Sequence, residues 1–286
     1  MPGGPAIAGR MSANGWGACA TCHPNGLSDN VVWIFPDGPR RTIPQHTDFA
    51  LNNPLRQKLL NWSAVRDEEE DFELNIRAVS GGQGLIVLPG TATQDPAVQN
   101  LTPNPSGGRN QLKVRGVNAW DAIEKFVQLG IRAPISPLSQ ADPDVQAGRT
   151  LFVQAGCQTC HGGPQWTSSR LTFTPPPNPA RILDGQILNQ LRIVGTFDPL
   201  AFNEVKNTAA PAEGDNGFVP ASLLSLHAFP GTFLHGGAET SLEGVLNNTT
   251  HRSAGSGGAD LLGSAADRAR VIKFILSIDG HTPTIP

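Results

Sequence analysis

The sequence predicts a mainly α protein of two similar halves with long irregular loops, and three observations predict it. A segment recurs: Ala8 to His23, AGRMSANGWGACATCH, matches Ala147 to His161, AGRTLFVQAGCQTCH, with Gly-Arg ten residues before the first cysteine in one copy and nine in the other. Apolar residues return at helical spacings behind residues that suit helix starts. The 32 glycines and 25 prolines, about a fifth of the 286 residues, call for much irregular chain wrapped round something rigid.

Taken in order, the first repeat leads into a stretch from Ser80 to Gly116 that is rich in glycine, proline and asparagine and reads as a long loop, with one short strand at Leu85 to Leu88. Asn118 can cap a helix whose apolar face is Trp120, Ile123, Phe126 and Val127 and which stops at Gly130. Ala133-Pro-Ile-Ser-Pro137 is a proline-punctuated connector and places a domain boundary near residue 141, giving domains 1–141 and 142–286. The second copy opens with Asp142 as N-cap and Pro143 in the first turn, carries Val145, Leu151, Phe152 and Ala155 at helical spacings, and ends at Gly156. Thr174 to Pro179 reads as an extended polyproline segment. Ser264-Ala-Ala-Asp267 resembles a capping box that opens a last helix through Val271, Ile272, Phe274, Ile275 and Ile278 to Gly280.

The repeats centre on Cys19-Ala-Thr-Cys22-His23 and Cys157-Gln-Thr-Cys160-His161, which use all four cysteines. A disulfide scaffold is unnecessary in a chain long enough to bury a full core. Two Cys-x-x-Cys pairs converging on one zinc ion would leave the adjacent histidines without a task. In a c-type haem site every residue has one, since each cysteine adds to a vinyl group and the histidine ligates iron. The net charge of −3 and pI near 6.1 offer no basic field for nucleic acid. No run of eighteen apolar residues exists, so no transmembrane segment is expected. Covalent haem attachment takes place outside the cytoplasm, and Met1-Pro-Gly-Gly-Pro has no export signal, so a signal has been removed or the chain is one piece of a longer precursor.

Beyond the two motifs, Arg41-Thr-Ile-Pro44, Asn61-Trp-Ser-Ala-Val-Arg-Asp67 and Ser225 to Leu246, SLHAFPGTFLHGGAETSLEGVL, resemble the bacterial di-haem cytochrome c peroxidase family and its methylamine-utilisation relatives. The wording of ACATCHPNG and DFELNIR is most similar to a branch in which this module follows a β-propeller. The resemblance implies two cytochrome c-like haem domains holding two covalently bound haem c groups, and many such proteins hold calcium between the domains, though no spacing marks such a site here. It further implies that peroxide reacts at the first haem, that Trp62 lies between the haems as an electron path or a packed core aromatic, and that a distal carboxylate follows the tryptophan. Asp67 to Asp71 and Glu73 fall in that interval. A run of acids is usually a solvated face, but Glu70 and Glu73 would share a helix face.

Family members place methionine, tyrosine or histidine on the second haem. There is no tyrosine here, and Met1 and Met11 precede the first haem, so that iron has histidine or an open site. Among His46, His227, His235, His251 and His281, His251 lies just beyond the helix that carries the family's variable ligand, with a surface-loop histidine as the alternative. His235 is expected to structure its turn and His227 to lie in the core or behind the ligands. His46 follows Arg41-Thr-Ile-Pro44, out of register with the family's removable first-haem histidine, and is either an iron ligand or a loop residue.

The expected activity is reduction of hydrogen peroxide at the first haem, with electrons relayed from the second and supplied by a donor protein such as a small cytochrome or cupredoxin. The alternative is a non-enzymatic electron-transfer cytochrome or haem subunit of a larger extracytoplasmic assembly. Either reading implies a periplasmic or extracellular location.

Overall fold

In the computed structural model of the chain, residues 17–35, 38–62, 69, 72–96, 110–170, 218–229 and 231–286 are described. The first Gly-Arg pair, Glu70 with its neighbours Asp67, Glu68 and Asp71, and the Thr174 to Pro179 segment lie outside them. Among the described residues helices dominate, and the strands form three two-stranded antiparallel ribbons, all before residue 119.

The second half is organised by helix α4 (Pro143–Gln154) lying against helix α8 (Ala265–Ser277). Both start where local chemistry dictates: the Asp142 carboxylate accepts from the Asp144 and Val145 amides, and the Ser264 hydroxyl accepts from Asp267. The helices approach so closely that a Cβ at Gly148 would strike the Arg270 carbonyl. Phe152 meets Phe274 edge-to-face at 5.3 Å, and Trp166 closes the triangle at 6.5 and 5.8 Å. All three are buried, each burial contributing about 1.5–3 kcal/mol or more. Helix α8 ends at Ser277, whose hydroxyl turns back to the Phe274 carbonyl, three residues before Gly280. The proline-rich connector is fastened to this end: the Ser136 hydroxyl donates to Leu276 O at 2.8 Å and the Gln140 amide to Ser277 O at 2.6 Å.

The first half has smaller cores. β1 (Val32–Phe35) pairs with β2 (Gly38–Arg41), β3 (Phe49–Ala50) with β4 (Asn53–Gln57), and β5 (Lys113–Val114) with β6 (Val117–Asn118). Leu85 to Leu88 forms no regular strand; Ile86 and Val87 make single bridges to Gln111 and Gln94. Helix α3 (Ala119–Leu129) ends at Gly130 as its sequence predicts, but its start is capped from a distance. The Gln111 side-chain oxygen accepts from the Trp120 and Asp121 amides, while Asn118 turns to Asp121. Trp120 and Val127 enter two separate clusters, with Ile76 and Leu85 and with Phe49 and Ile131. Phe126 differs from its expected core position: it is 56% exposed, because it lies over the Gly130 end of the helix instead of either cluster.

Candidate functional site

The second motif begins where α4 stops. Gly156 takes φ +71° and packs on Gly255 so tightly that a Cβ on either would strike the other's carbonyl. The chain then makes a single turn, α5 (Gln158–His161), closed by His161 N to Cys157 O at 2.9 Å. His161 Nδ1 lies 2.9 Å from the Ala221 carbonyl; an Nδ1–H donating there leaves Nε2 bare as a ligand.

Across the site stands His251, on the short helix α7 (Thr249–Ser253) that follows α6 (Leu242–Asn247). The Asn248 side-chain oxygen accepts from the His251 amide at 3.0 Å. Arg252 holds the other side, paired with Asp260 at 2.5 Å and donating to the Leu246 and Asn247 carbonyls. The His161 and His251 rings are parallel within 2°, with centroids 6.2 Å apart. That spacing suits one iron between two imidazoles, with metal–nitrogen bonds of about 2 Å on each side. Burial pushes His161 down to about 4, with His251 adding to the effect, and burial lowers His251 as well. Both are therefore neutral at pH 7, as metal ligands must be.

The rings face into a cavity whose walls include Phe152, Leu223, Phe233, Val245 and Ile275 together with Cys157 and Cys160. Burial pushes the Cys157 thiol up to about 11, so the free side chain is a neutral thiol at pH 7. Among the described residues no three donor side chains of the His, Cys, Asp or Glu type converge as a metal site. A haem fits these residues: an apolar slot, two thiols at one end, and an imidazole on each side.

The first motif has the same local design. Helix α1 (Cys19–Cys22) is followed by His23, whose Nδ1 lies 3.0 Å from the Leu27 carbonyl. Burial lowers His23, partly offset by Leu27 O and Asp48, and raises both thiols, Cys22 to about 11. The surroundings are charged. Lys58 and Asp48, 3% and 8% exposed at the side chain, pair at 2.9 Å. Glu69 is also buried, and burial, then the charges of Asp48 and Glu124, hold its carboxyl well above the usual carboxylate range. Its charge also acts on the Cys19 thiol, which places it near the first motif.

The remaining predicted residues are distributed unevenly. Trp62 is buried, donates from Nε1 to Arg41 O at 2.8 Å, and lines the second cavity while packing on Phe218. His46 is buried, with Nε2 3.1 Å from the Leu224 carbonyl and its ring stacked on Phe229 at 5.6 Å; no ring contact joins it to His23. Glu73 is wholly buried and fully used: Arg77 pairs with it at 2.7 Å, and the Leu85 and Ile86 amides donate to it. It pins the Leu85 loop instead of presenting a free carboxyl. His235 stacks on Phe218 at 3.8 Å and its carbonyl takes the Arg41 amide, a structural role in the turn. His227 is half-buried and lies within electrostatic reach of His46, and the His281 side chain is 77% exposed. Asp48 and Lys58 carry no motif that assigns them a role in advance, and Arg41 lies in Arg41-Thr-Ile-Pro44 without a role of its own. Glu69 sits inside the acid run, where one-dimensional spacing cannot separate the one inward carboxyl from its neighbours.

No protein-family model matches the chain. Over 309 aligned residues it is 23% identical to a cytochrome-c peroxidase of Pseudomonas sp. (strain SCT), an alignment spanning 95% of this chain and 78% of the relative. The chain is thus similar to a cytochrome-c peroxidase over nearly its whole length. Two solved structures share the fold. One is a MauG-like protein associated with microbial copper homeostasis, at TM-score 0.56, 17% identity, and coverage of 93% of this chain and 83% of that one. The other is hydrazine synthase of Kuenenia stuttgartiensis, at TM-score 0.52, 12% identity, and coverage of 96% and 83%. Among the described residues, no helix is long and apolar enough to cross a membrane.

Proposed function

We propose that the chain is a periplasmic or extracellular di-haem c-type cytochrome that reduces hydrogen peroxide at its first haem with electrons relayed from the second. The observation that carries this reading is the parallel His161–His251 pair at 6.2 Å over an apolar slot, set against the charged surroundings of His23. His161 and His251 would hold the second group from opposite sides, which suits electron transfer and not substrate binding. Cys157 and Cys160 would hold that group, and Cys19, Cys22 and His23 the first.

A haem held by Cys19, Cys22 and His23 would supply the redox chemistry for peroxide reduction. Reduction to two waters consumes two protons, and the chain must hold them close by. Glu69, whose carboxyl burial and then Asp48 and Glu124 hold well above the usual carboxylate range, is the candidate acid in place of Glu70 or Glu73. Lys58 and Asp48 hold a compensated charge pair beside it. Trp62 in the wall of the second cavity is placed to carry electrons out of it. The donor would be a small soluble cytochrome or cupredoxin. His46, with Nε2 held by Leu224 O, acts as a neutral buried brace under this reading and as a displaceable ligand only if that hydrogen bond opens.

A second reading, a haem subunit of a larger assembly, is favoured by exposed Leu55 and Leu129 on adjoining elements, at 87% and 65% exposure. The half-reduced holoprotein separates the two. Peroxide consumption with an added donor, together with cyanide or carbon monoxide binding at one iron, supports the enzyme. Turnover no better than that of the unfolded haem peptide, with no ligand binding, supports the conduit. A mass after denaturation showing fewer than two attached haems would end both.

A further inference from the structure

Two arginines line the second cavity, and they are in opposite states. Arg252 is satisfied by Asp260 and two carbonyls. Arg41 is 7% exposed and has no carboxylate partner among the described residues. Its Nη1 donates to Thr232 O, its guanidinium carbon lies 5.9 Å from the centroid of the Trp62 ring, and its buried Nε has no hydrogen-bond partner. The backbone fixes it in place at both ends of the residue: Arg41 N donates to His235 O at 2.7 Å, and Arg41 O receives Trp62 Nε1 at 2.8 Å. An anchored, desolvated guanidinium with a free donor calls for an anion, and a planar carboxylate matches its fork best.

The group that this cavity suits carries carboxylates on the edge away from its vinyl substituents, and Cys157 and Cys160 fix the vinyl edge. We propose that Arg41 is the carboxylate partner in the second cavity, its guanidinium taking a propionate of the haem held between His161 and His251. This rests on the haem reading of that cavity. Burial, which pushes Arg41 down to about 10, still leaves it charged at neutral pH, and the indole beneath it shields the pair from water.

The test compares holoproteins of the parent and Arg41→Gln by resonance Raman, reading the propionate-bending band, and by potentiometric titration of the second haem from about pH 5 to 8. The band is expected to shift. The midpoint potential is expected to fall by about tenfold in the reduction equilibrium, about 59 mV for one electron, and to become pH-dependent as the unpaired propionate titrates. A merely structural Arg41 would change stability and leave the band and the pH dependence alone; that result overturns the proposal. If Arg41→Gln fails to fold, Arg41→Lys keeps a cation but loses the fork, so its band should shift while the potential stays near that of the parent, and an unchanged band again overturns the proposal. A parent that lacks a bis-imidazole low-spin spectrum sinks the haem reading itself, whereas a parent that has one beside an unaltered Arg41→Gln sinks only the Arg41 assignment.

Discussion

The two Cys-x-x-Cys-His segments are nearly the same machine locally and sit in opposite media. In each, a single turn carries the histidine and a carbonyl, Leu27 O or Ala221 O, lies within hydrogen-bond reach of its Nδ1. Beyond that turn the resemblance ends. The second is enclosed by phenylalanine, leucine, valine and isoleucine with an imidazole opposite, while the first adjoins a buried lysine, two buried carboxyls and the half-buried Glu124. The motif therefore fixes how a group is attached, and the distant chain fixes what it can do: an apolar slot with both faces filled suits electrons, and buried acids suit protons.

His251→Ala should break the comparison most completely, because it removes the feature that the first site lacks. The low-spin signal of one haem should be lost, and added imidazole should restore it by occupying the vacated side. An unchanged spectrum would take His251 out of the site and direct attention to His235, which also lines the cavity.

Lys58→Met attacks the other half of the contrast. It leaves Asp48 buried without its partner and should cost about 3–5 kcal/mol in denaturant unfolding. The parallel change at Lys273, which pairs with Asp142 while both are about a third exposed, should have little effect. Equal losses would show that the charged surroundings of the first site are not buried.

These contrasts also mark what one dimension can carry. The Asp142 and Ser264 caps were legible, because an N-cap acts on amides two or three residues away. That His251 follows α6 directly was legible from its place along the chain. The Gln111 cap on α3 was not, because its partners are nine and ten residues on and depend on how the loop closes. For the same reason Glu73 pairs with Arg77 on its own helical turn, and the Leu85 and Ile86 amides complete its use from a separate loop. Glu69 turns inward beside Asp48 and Glu124, charges far apart in sequence that meet only after folding.

His46 offers a pH-dependent refinement. Nε2 within reach of Leu224 O leaves Nδ1 buried and unpartnered, so protonation is penalised and burial pushes the group down to about 4 from 6.5. Between those values the unfolded chain binds the proton and the folded chain does not. The contribution is fully present above pH 6.5 and is lost as pH falls toward 4, at most about 3 kcal/mol. His46→Phe should remove that part of the acid loss, seen as a flatter dependence of the denaturant midpoint on pH. If the slope is unchanged, His46 is reaching solvent or binding iron.

The smallest expected effect tests how the second site is held. Asn248 precedes α7 and its side-chain oxygen accepts from the His251 amide at 3.0 Å, so the residue that starts this one-and-a-half-turn helix also fixes the backbone of the histidine facing His161. A helix this short has little stability of its own and depends on its cap and on Arg252, which is tied to Asp260 and to the end of α6. Asn248→Ala should cost about 1 kcal/mol, the usual price of a lost cap. Arg252 should still keep α7 in place, so the low-spin state should survive. What should change is its uniformity: with the first turn loosened, the 2° parallel alignment of the two rings would spread, and the low-spin electron paramagnetic resonance lines would broaden. Sharp, unmoved lines would show that ring packing alone sets the orientation, and the first motif, which has no such capped partner helix among the described residues, would then differ from the second in one respect fewer.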